Sequence, residues 1–347
     1  VTQLYCASLK NPVLLQQTNI DNYQPIIIKG EKKLRPTLYD VLAHKFLDYL
    51  QSDEMDISEP IDAFVLNDAA SLSMPKLFIR QHYSSNDSSN RVWRAIQLYQ
   101  QLLSFHLNDA DPSALIDADL SRYAFVQRES SHPYKKRLGK EWLENIVAQY
   151  PDNEIAAMAS LQLVEYWKAL GEEWAPQQSQ HSEGKMALAI AANMAKEISG
   201  KFPKAIAGER AAYLYKTLTK PQLKVEVEQV NVLKEPFRAK LSFTNTTKAY
   251  LRILKAKNGE EVDESFYPSE DWWSKIVKQT AIRQWTQDLP AYTDLREHSA
   301  EIAIDELPVG EYWLLASADE AFSTAQNALT AVHLYVSNIS YVYNSSQ

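Results

Sequence analysis

A single cysteine in 347 residues, Cys6, excludes a disulfide framework and any cluster of thiolate metal ligands. Its neighbours Leu4, Tyr5 and Leu9 give it the setting of a small buried apolar residue. Glycine is scarce too, eight in all, which leaves little material for loops that cradle phosphate. The spacings G-x-x-x-x-G-K, G-x-G-x-x-G, G-x-S-x-G and H-E-x-x-H do not occur. No apolar run reaches the ~18 residues that would read as a membrane span.

Basic charge is also in short supply. Residues 1–220 carry 24 basic and 26 acidic side chains, and residues 221–347 carry 12 and 18. Neither part has the positive excess that binding a phosphate backbone demands, so no nucleic-acid partner is expected. The local run Arg128, Lys135, Lys136, Arg137 and Lys140 reads as a solvated helix face. The seven histidines stand singly, none two or four residues from another, so no helix-borne metal pair is available. His44, inside a helical stripe, reads as structural. Neither a metal nor another cofactor is expected, and no catalytic residue is assigned.

What the chain does have is apolar and aromatic mass, 45% hydrophobic residues with 8 Trp, 19 Tyr and 10 Phe. That suffices for folded cores, and the length predicts two domains. From Leu34 the apolar spacing is helical. In RPTLYDVLAHKFLDYL a stripe of Leu38, Leu42, Phe46 and Tyr49 forms, capped by Thr37 with Asp40 three residues on. SSNDSSN (84–90) is a polar loop. Three helix-pair corners follow, centred on Asn108, Pro151 and Pro203. In each, an amphipathic helix meets a short polar corner and then an Ala-rich helix. Asp111 and Asp152 are placed to restart the second helices, and Ala156, Ala159, Ala207 and Ala211 allow close approach. The corners are 43 and then 52 residues apart, which predicts an irregular tetratricopeptide-like α-α repeat region across 34–219, after a less regular lead-in at 1–33.

At Lys220-Pro221 the period changes to two. Leu223, Val225 and Val227 alternate with Lys224, Glu226 and Glu228, and Leu241 and Phe243 with Lys240 and Ser242. Several such segments, with Asn258-Gly259 as a tight turn, predict an antiparallel β-sandwich over 220–336. EDWWSKIVKQTAIRQW predicts a helical insertion near 270–286, with Trp273, Ile276 and Val277 on one face. Pro308 and Gly310 are expected to form a corner that lets the EIAI and YWLLA segments pair. The expected fold class is therefore α + β in separate domains. Residues 337–347 read as the first strand of a further domain.

The candidate binding residues are aromatic. Trp93, Tyr99 and Tyr123 lie on the first helix pair, Trp167 beside the second, and Trp272, Trp273 and Trp285 around the insertion. Such residues either pack cores or form protein-contact patches. The acidic pairs Glu172-Glu173 and Glu260-Glu261 sit at element ends, where carboxylates are solvated. Paired carboxylates of a carbohydrate hydrolase can come from distant positions, and that reading ranks last.

PTLYDVLAHKFLDYL, helical repeats, then LPVGEYWLLAS and VHLYVSNISYVYNSSQ in order, resemble the N-terminal region of large bacterial alpha-2-macroglobulin-like proteins. The likeness is sharpest over 299–347. It implies a macroglobulin-type (immunoglobulin- or fibronectin-like) sandwich, an extracytoplasmic, periplasmic or cell-envelope location, and an anchor upstream of Val1. It also implies proteases as partners, entrapped after cleavage of a bait region and in some members through a Cys-Gly-Glu-Gln thioester. Cys6 is followed by Ala7, Ser8 and Leu9, so the thioester motif is not in this segment and the trapping chemistry would lie beyond Gln347. The expected role is a non-catalytic scaffold. An adaptor holding a protein or peptide partner in a helical groove is the second reading.

Overall fold

The computed structural model describes residues 1–23, 32–52, 64–175, 183–256 and 268–338. Among them the chain forms eleven α-helices and eight strands, an α + β mixture. It divides into two compact units, Val1–Tyr166 with Met194–Ala212, and Trp167–Asn193 with Tyr213–Gln347.

The lead-in is more regular than its sequence indicates, with helices α1 (Thr2–Ser8) and α2 (Pro12–Gln17). Tyr5 stacks on Phe46 and Tyr49, at ring-centroid distances of 5.1 and 5.2 Å. Cys6 is half-buried, and its sulfur accepts from Arg94 Nη1 at 3.0 Å, so its setting is polar as well as apolar. Helix α3 (Leu38–Leu50) opens with the expected capping box. Asp40 N donates to Thr37 Oγ1, and Thr37 N donates to Asp40 Oδ2 at 2.8 Å. Its buried face is one position off the expected stripe. Tyr39, Ala43, Phe46, Leu47 and Leu50 are buried, whereas Leu38, Leu42 and Tyr49 are half-buried.

After the short α4 (Pro75–Phe78) come α5 (Arg91–His106), α6 (Ser113–Glu129), α7 (Lys135–Gln149), α8 (Ala157–Glu173), α9 (Glu183–Lys201) and α10 (Ile206–Thr219). The corners at Asn108, Pro151 and Pro203 each join two of these helices, and the four alanines beside the later corners are buried. At the first corner Asp111 Oδ1 accepts from Ser113 N. At the second the capping residue is Asn153, not Asp152. Asn153 Oδ1 accepts from Ile155 N and Ala156 N, while Asp152 pairs with Lys201 at 2.8 Å. The core of the first unit joins Tyr39 and Leu47 of α3, Ile96, Tyr99 and Leu103 of α5, and Phe125 of α6. Each such side chain contributes about 1.5–3 kcal/mol when fully buried.

The strands are β1 (Gln222–Val227), β2 (Val230–Asn231), β3 (Phe237–Thr244), β4 (Lys248–Lys255), β5 (Arg283–Asp288), β6 (His298–Ile304), β7 (Gly310–Ser317) and β8 (Leu329–Val336). They make two sheets, ordered β1-β3-β6 and β2-β8-β7-β4-β5. One core lies between them, with Leu241, Phe243 and Ile302 from the first and Leu251, Ile253 and Leu314 from the second. The larger sheet is mixed, not purely antiparallel, because the two-residue β2 runs parallel to β8.

Two expectations fail here. The helical insertion is only Glu270–Ile276 (α11), and the residues after it return to the sheet as β5, whose RQWTQD alternates in exposure beside β4. The Pro308–Gly310 corner does not make a hairpin. β6 pairs with β3 and β7 with β4 and β8, so the corner carries the chain from one sheet to the other. Gly310 has φ +158°, close to extended backbone. The Tyr312 hydroxyl locks the crossing by donating to Pro308 O at 2.8 Å, the geometry of a tyrosine corner. Asn258-Gly259, Glu260-Glu261 and all of 337–347 beyond Asn338 lie outside the described residues.

Candidate functional site

All seven candidate aromatics are packed; none is among the exposed large apolar side chains. Tyr99 is wholly buried, and its hydroxyl accepts from Gln51 Nε2, which makes it a core residue and removes it from any contact surface. Trp93 donates its indole N–H to Tyr83 O at 2.9 Å, and Tyr123 stacks on Trp142 at 4.5 Å. Trp272 sits edge-on to both Trp273 and the buried Trp313, roofing the outer face of the larger sheet under α11. Trp285 packs on the sandwich core from β5, and Trp167 is half-buried. The exposed aromatics are others, Tyr134 and Tyr213 among them.

Charged groups are gathered where sequence spacing did not indicate. In the first unit His106, at the C-terminal end of α5, is buried between two carboxylates. Its Nε2 lies 2.8 Å from Asp40 Oδ1 and its Nδ1 2.7 Å from Asp109 Oδ2. Only an imidazolium donates from both nitrogens. Burial opposes that charge, but the bonds and charges of Asp40 and Asp109 outweigh it and raise the pKa above the ordinary imidazole value. His44, one turn along α3 from Asp40, has the opposite setting. Burial, with Arg35 adding to it, lowers its pKa to about 4, so it is neutral at physiological pH. Asp40 and Asp109 flank one ring as hydrolase carboxylates flank a bond, yet Asp40 is fully buried.

A second buried pair joins Asp119 and Arg122 of α6, Oδ1 to Nε at 2.6 Å. Arg122 also donates to the carbonyls of Ser71 and Ser73 and lies over the Phe78 ring, tying that segment to α6.

In the second unit an open cleft of about 450 Å³ is lined by Phe243, Asn245, Thr246, Tyr292 and His298. His298 Nε2 is 2.9 Å from the buried Asp294 Oδ1, and its ring stacks on Tyr292 at 3.5 Å. Burial raises the Asp294 pKa, and hydrogen bonds from His298 and Arg296 N outweigh it, so the net direction is down. An oriented imidazole beside a cleft is acid–base equipment. Among the described residues, however, no hydroxyl or thiol hydrogen-bonds to it, and Thr246 Oγ1 donates to Lys248 O instead. Beside it Arg296 is wholly engaged with backbone. It donates to the carbonyls of Gly171 (2.7 Å), Gly184 (2.6 Å) and Lys185 (3.0 Å) and lies over the Trp174 ring. Among the described residues no three His, Cys, Asp or Glu side chains converge to hold a metal ion, and no helix is long and apolar enough to cross a membrane.

No known family and no curated protein matches the chain. Among solved structures, it is similar to the CARDB domain of a Pyrococcus furiosus protein in complex with di-metal ions, at 14% identity and a TM-score of 0.21. That likeness covers 33% of this chain and 91% of the other. It is also similar to the Pseudomonas fluorescens alkylpurine DNA glycosylase AlkC bound to DNA with an abasic-site analogue, at 9% identity and a TM-score of 0.18, over 72% and 87% of the two chains. Neither likeness carries an argument about fold or function.

Proposed function

We propose that this chain is a non-catalytic scaffold, a tetratricopeptide-like helical region joined to a macroglobulin-type sandwich, within a bacterial alpha-2-macroglobulin-like protein that retains proteases at the cell envelope. The observation that carries the scaffold reading is where the ionisable groups are committed. His106 ties Asp40 to the α5–α6 corner, Arg122 holds the Ser71–Ser73 backbone, and Arg296 holds the end of α8 and the start of α9. Each is used to join segments far apart in sequence. The family part rests on motif order. LPVGEY forms a sheet-crossing corner and VHLYV belongs to the strand that pairs with β7.

The test is to incubate the intact protein containing this chain with a general protease. Cleavage followed by compaction on a native gel, with protease retained through size exclusion, is the expected outcome. Cleavage without compaction or retention would remove the protease-trapping assignment.

A further inference from the structure

The cleft beside His298 presents accessible groups that the fold itself leaves unused. The Tyr292 ring is 49% exposed although His298 covers one of its faces, 3.5 Å away and only 8° from parallel. The Tyr292 and Thr247 hydroxyls make no hydrogen bond among the described residues, and both residues are exposed. The His298 side chain is 25% exposed. Its Nε2 faces the Asp294 carboxylate, which can only accept, so Nε2 carries the hydrogen. Nδ1 of the neutral ring is then an acceptor, without a partner among the described residues. The walls around these groups are fixed. Asn245 and Leu295 stand in the left-handed region, at φ 55° and 56°, where a leucine is uncommon. Such backbone persists only where its surroundings over-determine it, and it gathers at ligand sites. Asn245 Nδ2 donates to Leu218 O and Lys220 O, which ties the turn between β3 and β4 to the end of α10.

Charge and shape select the ligand. Asp294 is buried and accepts from His298 and Arg296 N, while the Arg296 guanidinium is engaged with carbonyls, so neither offers an open charge. A neutral molecule with several hydroxyls therefore suits the cleft better than an ion. The half-open Tyr292 ring adds a flat apolar platform, whose negative π face attracts polarised C–H bonds. A pyranose with equatorial hydroxyls has both features, axial C–H bonds on its faces and hydroxyls around its rim. At about 450 Å³ the cleft is within the roughly 300–1,000 Å³ of small-molecule sites. We infer that this cleft is a binding site for a neutral pyranose saccharide, one ring lying on the open face of Tyr292. Its hydroxyls bond to Thr247 Oγ1 and, past the edge of the stacked rings, to His298 Nδ1. The assignment goes beyond the scaffold reading and does not depend on it.

NMR of the full chain with labelled His and Tyr rings, titrated with cellobiose and separately with open-chain sorbitol, tests it. Sorbitol carries the hydroxyls without a pyranose face. Saturable shifts of the Tyr292 and His298 ring signals are expected with cellobiose, which binds at least about fivefold more tightly than sorbitol, the value of one stacking contact. Tyr292→Ala removes the platform, and Thr247→Val removes one exposed hydroxyl without touching the rings. Each weakens cellobiose binding about fivefold at an unchanged melting temperature. No saturable shifts at these two rings, equal affinity for sorbitol, or undiminished binding by both folded variants would each overturn the assignment.

Discussion

His106 Nε2 lies 2.8 Å from Asp40 Oδ1, across 66 residues of sequence, so the charge at the end of α5 is stabilised by the carboxylate that caps α3. One carboxylate thus serves two helices. His106→Gln leaves Asp40 buried without its cation, and loss of one partner of a buried pair costs about 3 kcal/mol or more. Because the His106 pKa is raised on folding, its contribution is fully present below the unfolded imidazole value of about 6.5 and is lost as pH rises through the folded value. Urea unfolding of both proteins from pH 5.5 to 9 should show a gap that narrows as pH rises. A gap independent of pH would mean the ring is not held as a cation.

His44 carries the opposite sign. Its folded pKa is lowered to about 4, so neutral His44 contributes above about pH 6.5 and the contribution is lost as pH falls toward 4. His44→Leu keeps the volume and removes the titration. Relative to the variant, the wild type should lose roughly 3 kcal/mol between pH 6.5 and 4. Parallel stability curves would contradict the buried neutral assignment.

Arg296 joins backbone from two helices to the loop before β6 through planar, multiple hydrogen bonds that an ammonium does not reproduce. Arg296→Lys should destabilise by about 2–3 kcal/mol. Hydrogen exchange should rise first at amides near Gly171 and Gly184 and leave β3 and β4 protected. Uniform acceleration across the sandwich would place the role of Arg296 elsewhere.

Among the described residues the Tyr312 hydroxyl has one hydrogen-bond partner, Pro308 O at 2.8 Å. Tyr312→Phe keeps the buried ring and removes only that bond, with an expected cost of about 1 kcal/mol. A stability change near zero would show that the sheet-crossing corner holds through Pro308 and packing alone.

Local chemistry was the legible part of the sequence. The Thr37–Asp40 box, the three helix corners and the period of Leu241 and Phe243 depend on neighbours within a few residues. Where two local signals competed, the sequence misled. Asp152 and Asn153 both can cap, and the turn geometry selected Asn153. The helical spacing of Trp273, Ile276 and Val277 masked the strand beginning at Arg283, whose pairing with β4 is a tertiary preference. LPVGEY marks a corner, yet which sheet each flanking strand joins depends on the whole topology. The candidate sites were hardest to find. His106 with Asp40, Arg296 with Gly171 and Arg122 with Ser71 unite residues that no spacing connects.

On the proposed function this chain holds a protease-trapping protein in shape and performs none of its chemistry, and the most direct test uses His298, an oriented imidazole beside a cleft. Protease retained by the intact protein is to be measured for wild type and for His298→Ala, with melting temperature as control. Retention by wild type, equal in the variant, is predicted. No retention by wild type, or its loss in a variant that melts normally, would contradict the account.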